Sequence, residues 1–245
     1  MSEILTEPET APTQDAQWFD QDVSYEFDEE FQGEDVIARN HFVTTILVSH
    51  NGAIWLPAVL TQLARTTRPP EVIVGVDAGS TDTSGEILTQ SLGQDRVVTL
   101  TDNPGFGASV NAGLELVPRP DFAADSRPTD TIEWVWLLHD DGAPDSGALE
   151  QMLVAADRSP NVGVFGPKIL GWHDRRLLLE VGVGITSDGR RVTGLERGEH
   201  DQGQHDGDRE VLAVSSAGML VRRDIFDALG GFDPELPLFR DDLDF

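Results

Sequence analysis

The sequence predicts an α/β fold built on a mostly parallel central sheet flanked by helices. Three observations predict it. β-Branched or apolar runs of strand length alternate with segments of helical period from residue 42 to residue 165. That alternation implies βαβ units with right-handed crossovers. The most apolar run, residues 132–138, is Trp-rich and stops at two adjacent carboxylates, Asp140 and Asp141. Acids at the carboxyl end of a buried strand stand where open α/β sheets bind ligands.

Residues 42–49 read as the first strand, with Val-Thr-Thr-Ile-Leu-Val-Ser at its core, residue types that suit a packed, pleated surface. Ser49-His50-Asn51-Gly52 is a turn. A helix over 54–66 follows, with Pro57 in its first turn, where proline is tolerated. Arg68-Pro69-Pro70 stops it. Residues 71–76 are the second strand, ending at Asp77. Ala78-Gly79-Ser80-Thr81-Asp82 is a loop, and Thr83 with Glu86 has the spacing of a capping box that opens the next helix. Residues 96–100 are the third strand, closed by Asn103-Pro104-Gly105-Phe106-Gly107. Ala108, Ala112 and Leu116 line one face of the helix after it. Residues 118–130, with three prolines, form a surface loop. The Trp-rich strand comes next, and Leu149, Met152, Leu153 and Ala156 then repeat at i, i+3, i+4, i+7, the stripe of an amphipathic helix. Residues 162–165 are a short strand.

Beyond residue 165 the alternation changes. Residues 177–185 and 211–215 read as strands. The polar stretch between them, 186–210, is rich in Gly, Asp, Arg and His and reads as a mobile loop. Residues 222–229 form a short helix broken by Gly230-Gly231-Phe232-Asp233-Pro234. At the other end, residues 1–17 lack apolar periodicity and read as disordered. Residues 18–35 interleave Trp18, Phe19, Tyr25, Phe27 and Phe31 with acids, either a docking segment or a solvated acidic arm.

Composition bounds the function. The chain has 245 residues, 39% of them hydrophobic, enough for one α/β domain or two small ones with a sizeable core. There is no cysteine, hence no disulfide and no thiolate metal site. The acidic N-terminus lacks the apolar core of a signal peptide, and no apolar run reaches the ~18 residues that span a bilayer. The net charge of −27 argues against nucleic acid as a partner. Residues 1–40 carry twelve acids and one base. An acidic protein that handles phosphates must neutralise them locally, and hard carboxylate oxygens suit Mg²⁺ or Mn²⁺. Asp140 and Asp141 therefore have two readings: a metal site, or a polar loop whose Asp caps the following helix. Asp77 likewise can touch a ligand or simply cap a turn. Trp134 and Trp136 read as core, and Arg190 and Arg191 as solvated.

The order of these motifs resembles that of the family 2 glycosyltransferases with the GT-A fold, the kind that includes bacterial rhamnosyl- and galactofuranosyltransferases. The resemblance covers residues 42–245. Ser49-His50-Asn51-Gly52 is similar to the family's turn after the first strand, and Val76-Asp77-Ala78-Gly79-Ser80-Thr81-Asp82 to its Val-Asp-Asn-Gly-Ser-Thr-Asp loop. Asn103 to Gly107, with Asn111 and Gly113, resembles Asn-x-Gly-Phe followed by Asn-x-Gly. His139-Asp140-Asp141 takes the place of Asp-x-Asp, with His at its first position. Gly218 to Arg223, Gly230-Gly231-Phe232-Asp233 and Asp241-Asp242-x-Asp244 resemble the acceptor-side run.

The resemblance implies a Rossmann-like half over residues 41–165 that binds a nucleotide-diphosphate sugar. A smaller acceptor half would cover 166–245, cut short after its motif, behind an N-terminal arm of residues 1–40. Ser49, His50, Asn51, Asp77, Asp82, Gly105, Asn111 and Asp140 would bind the nucleotide sugar, with Asp77 on the base or ribose and His50 stacked on the base. Asp141, helped by Asp140, would hold Mg²⁺ or Mn²⁺. Asp242 would be the general base, and Gly231, Phe232 and Asp241 would shape the acceptor side. The reaction would be an inverting sugar transfer to a glycan or lipid-linked acceptor in cell-envelope polysaccharide synthesis. It would take place in the cytoplasm, at the inner face of the plasma membrane if downstream sequence reaches it. The alternative is a non-catalytic module that keeps the fold and binds nucleotide sugar. A nucleotidyltransferase would want a Gly-rich, basic phosphate loop that Ser49–Gly52 lacks.

Overall fold

The computed structural model describes residues 39–117 and 130–233, all within a compact unit spanning Asp35–Phe245. Six strands make the central sheet, in the order β3-β2-β1-β4-β10-β5. β1 (His41–Ser49) lies parallel to both β2 (Val72–Ala78) and β4 (Ile132–His139), and β3 (Val97–Leu100) lies parallel to β2. The mostly parallel α/β sheet is the one expected from the alternation.

Residue parity along the strands builds both faces. Val43 and Leu47 of β1 with Trp134, Trp136 and Leu138 of β4 face α1 (Leu56–Leu63), α2 (Ser84–Leu92) and α4 (Ala148–Arg158). Ile46 and Val48 with Val135 and Leu137 face α3 (Phe106–Glu115) and α5 (Arg223–Leu229). Side chains alternate across a strand, so a strand covered on both sides is a nearly continuous apolar run, interrupted in β1 by the buried Thr44 and Thr45. Leu149, Met152, Leu153 and Ala156 of α4 are all buried, as their spacing predicts. Trp134 and Trp136 are core residues, 2% and 1% exposed.

Several local expectations change. The helix expected over 54–66 is shorter, Leu56–Leu63, with Pro57 in its first turn. A 3₁₀ turn, Gln94–Arg96, takes the start of the third strand. Thr83 makes no side-chain cap to α2. Asp82 does that work instead: its Oδ1 accepts from the Ser84 N–H at 2.9 Å and from the Ser84 hydroxyl.

The larger change lies after β5 (Val164–Phe165). The run 177–185 is not one strand. It breaks at Gly182, whose φ of 118° is open to glycine alone, into β7 (Leu178–Glu180) and β8 (Gly184–Ile185). β7 pairs with β6 (Ile169–Leu170), and β8 with β9 (Arg191–Val192). Of the strand expected at 211–215 only the single bridge Ala213↔Val183 forms. The strand that completes the sheet is β10 (Leu220–Arg222), antiparallel to β4 and β5.

The polar stretch 186–210, expected to be a mobile loop, is tied down. Lys168 pairs with Asp201 at 2.7 Å and with Asp206. Arg191 pairs with Glu180 at 2.5 Å. Glu199 accepts from Gln204, the Glu196 N–H and His205, and these bonds hold its carboxyl down at about 2. No helix among the described residues is long and apolar enough to cross a membrane.

Candidate active site

The strand order reverses direction between β1 and β4. At such a switch point the loops leave in opposite directions and open a crevice beyond the carboxyl ends. Val48 is in register with His139, and Ser49 with Asp77, so the three loops that carry the expected site residues leave the sheet side by side.

Asp140 turns back onto the end of β1. Its Oδ2 accepts from the Ser49 hydroxyl at 2.8 Å and from the His50 N–H at 2.9 Å. Burial raises its pKa above the usual carboxylate range, and those two donors oppose the shift. A Cβ on Gly52 would run into this carboxylate, so glycine is what lets Asp140 sit there. Asp141, the next residue, is exposed beyond the carboxyl end of β4.

His50 is held in one orientation. Its Nδ1 lies 2.7 Å from the Ala78 carbonyl, so Nδ1 carries the proton and donates. Nε2 is then left to accept from the Asn51 amide at 3.1 Å. Asn51 sits at φ 56°, a left-handed conformation that Asn tolerates. Its Oδ1 accepts from the Thr81 N–H at 2.8 Å, and its own N–H donates to Ser80 Oγ at 3.0 Å. Asp82 Oδ2 accepts from the Ala53 N–H at 3.1 Å. Ser49, His50, Asn51 and Asp82 are thereby brought together, as one stitched pair of loops after β1 and β2.

The other expected residues go elsewhere. Asp77 is 6% exposed. It accepts from the Ser80 N–H at 3.0 Å and sits against Gly85 in the first turn of α2, where a carboxylate favours the helix dipole. Asn111 donates to the Phe232 carbonyl at 3.1 Å, so it braces the residue expected on the acceptor side. Gly105 precedes α3, at φ 97°, with its N–H on Asn103 Oδ1. Gly107 lets Phe232 pack on α3: a Cβ there would stand 2.6 Å from that of Phe232. Gly231 lies against Asn111 and Phe226. Asp241 and Asp242 fall outside the described residues.

His139, at the first position of the motif, lies 4.1 Å from Phe106 between ring centroids and 3.2 Å from the Ser216 hydroxyl. Phe106 in turn contacts Phe232 at 6.2 Å. A ring column thus joins the end of β4 to the Gly230-Gly231-Phe232-Asp233 motif. Sequence reading missed the part played by Ser216, for which no local signal exists, and by Phe106, which only its place in the glycine-rich motif could have suggested.

Among the described residues no three His, Cys, Asp or Glu side chains gather as a metal-holding group. The donor chemistry still fits a divalent cation. Asp141 offers hard oxygens at an exposed edge, and Mg²⁺ or Mn²⁺ is commonly held by one or two carboxylates with phosphate oxygens and water completing the shell.

A family model described as glycosyltransferase-like family 2 matches residues 42–245. The N-acetylglucosaminyl-diphospho-decaprenol L-rhamnosyltransferase of Mycobacterium tuberculosis is 24% identical over 217 residues, covering 81% of this chain and 67% of the relative. Among solved structures, the mannosyltransferase PcManGT of Pyrobaculum calidifontis, in complex with GDP-Man and Mn²⁺, superposes with a TM-score of 0.51 at 16% identity, covering 81% of this chain and 49% of its own. Residues 1–349 of S. aureus TarS, in complex with UDP, give 0.54 at 18% identity, covering 82% and 53%. The chain spans about half the length of these two structures. The likeness bears out the GT-A fold. With its motifs in register along the sheet and the family model matched from the first strand to residue 245, the chain belongs to glycosyltransferase family 2.

Proposed function

We propose that the protein transfers a sugar, most simply L-rhamnose, from a nucleotide-diphosphate donor to a lipid-linked N-acetylglucosaminyl acceptor, for cell-envelope polysaccharide. The observation that carries this reading is the pair at the end of β4: Asp140 anchored on β1, and Asp141 exposed at the switch point. The name of the mycobacterial relative supports the choice of sugar and acceptor. Such an acceptor would bring the enzyme to a membrane surface.

In this reading the loops after β1 and β2 cradle the nucleotide, with the fixed face of His50 beside the base. Asp77 and Asp82 support that cradle from behind. Asp141 would hold Mg²⁺ or Mn²⁺, which would neutralise charge developing on the departing diphosphate. Asp242 would accept the proton of the acceptor hydroxyl as its oxygen bonds to the anomeric carbon and the bond to the diphosphate breaks. One in-line displacement of this kind inverts the anomeric centre. Gly231 and Phe232, braced by Asn111, would shape the acceptor side.

Calorimetric titration with UDP, dTDP and GDP, each with and without Mn²⁺, tests the donor site. Manganese-dependent binding of one nucleotide is expected, at least tenfold weaker in Asp141→Ala. Unchanged manganese-dependent affinity in that variant would remove Asp141 from the metal site. A second reading, a binding module without turnover, is favoured by His139, which stands where the family motif has Asp and is engaged with Phe106 and Ser216. Release of nucleotide diphosphate in the presence of acceptor decides between the two.

A further inference from the structure

The hairpin β6–β7 follows β5, at the opposite edge of the sheet from β3. Its turn nevertheless reaches the start of α1. There the Trp172 and Trp55 rings meet edge to face, 5.1 Å apart and inclined by 75°, with His173 6.3 Å from Trp55. Trp55 lies close to the sheet's working end: its N–H donates to Gly52, the residue on which Asp140 rests. Trp55 comes to that end on the chain that leaves β1, shortly after His50, and Trp172 comes to it on the chain that leaves β5.

This contact is more than a packing clasp. Trp172 keeps 37% of its surface in water and Ile54, beside Trp55, keeps 77%. Trp172 is the one exposed Trp, Tyr or Phe among the described residues, although several aliphatic side chains also reach water. An edge-to-face pair also leaves ring face uncovered. The turn is built stiffly. Leu177 N–H donates to the Asp174 carbonyl, Asp174 Oδ1 accepts from the Arg176 N–H at 3.0 Å, and Asp174 Oδ2 meets His200 at 3.4 Å. Trp172 is therefore carried on a pinned turn, followed in the chain by the exposed His173, Asp174 and Arg175. A partly exposed indole on a polar turn suits a pyranose, whose axial C–H bonds make one face apolar while its hydroxyls project sideways.

We propose that Trp172, supported by Trp55, is a stacking platform for a sugar ring of the acceptor. This rests on the glycosyl-transfer reading above, and it places an acceptor sugar beside the start of α1.

The test uses the full chain and methyl β-N-acetylglucosaminide as probe, followed by saturation-transfer NMR. Saturation of protein aromatic protons should pass mainly to the protons of one face of the sugar ring. Trp172→Ala should weaken glycoside binding about tenfold, as expected for a lost stacking contact. Trp172→Phe should keep most of it. Manganese-dependent nucleotide binding should be equal in all three proteins. Glycoside binding unchanged in Trp172→Ala would overturn the platform, as would absence of glycoside binding in a protein that binds nucleotide. Loss of nucleotide binding together with glycoside binding in Trp172→Ala would also overturn it, by showing that the ring only clasps the fold. A wild-type protein that binds the glycoside at Trp172 but no nucleotide would keep the platform and refute the donor site.

Discussion

Single residues on β1 show how burial decides between bonded and unbonded polar groups. Thr45 is fully buried, and its hydroxyl has no partner among the described residues; the same holds for the indole nitrogen of Trp136, its register neighbour on β4. A buried hydroxyl without a partner costs stability. Thr45→Val keeps the shape and removes the group, so it should stabilise the fold by about 1 kcal/mol, seen as a higher urea midpoint; a lower midpoint would mean that the hydroxyl is bonded, for instance to an ordered water. His41 presents the opposite case. Its Nδ1 accepts from the Trp134 indole at 2.9 Å, and its Nε2 donates to Asp157 at 3.1 Å. Burial pushes its pKa below 6.5; Asp157 opposes the shift, and Arg68 and Arg39 add to it. The folded state therefore binds the proton less well than the unfolded chain. Its contribution is complete above about pH 6.5 and is lost as pH falls from there through the folded pKa. The urea midpoint should drop between pH 7.5 and 5.5 in the wild type, and by less in His41→Gln. Equal drops in the two proteins would remove His41 as the cause.

At the scale of elements, the turn from β1 to α1 is where strand, helix and site depend on one another. Gly52 supplies the carbonyl that starts α1, accepting from Trp55 at 2.9 Å and Leu56 at 3.0 Å, and it also makes room for Asp140. Gly52→Ala would force Asp140 off Ser49 and His50. The expected cost is about 1–3 kcal/mol, the usual range for overpacking, together with weaker nucleotide binding. Stability and binding both equal to wild type would show that Asp140 has another rotamer open to it. Propensity alone would have placed the cap of α2 at Thr83. Asp82 wins because one carboxylate can serve two donors at the helix start while its second oxygen fastens the neighbouring loop.

For the whole molecule, the compact unit spans Asp35–Phe245 and contains both faces of the sheet. A chain beginning at Asp35 should keep the circular dichroism spectrum of this unit and melt within about 2 °C of the parent, the change expected from well under 1 kcal/mol; an unfolded product would make the acidic arm part of the core. The sequence by itself determined the parallel order of strands and helices, the burial stripe of α4, the burial of Trp134 and Trp136, and the family. These rest on period and local turn chemistry, which neighbouring residues carry. Only the tertiary structure decided that β10 inserts antiparallel beside β4, that Lys168, Glu180 and Glu199 tie down the 186–210 stretch, that Asn111 serves Phe232, and that Asp140 faces β1 while Asp141 faces solvent. Each of these depends on a partner far away in the chain, and a hydrogen bond or ion pair between distant residues leaves no period in the sequence for a reader to find.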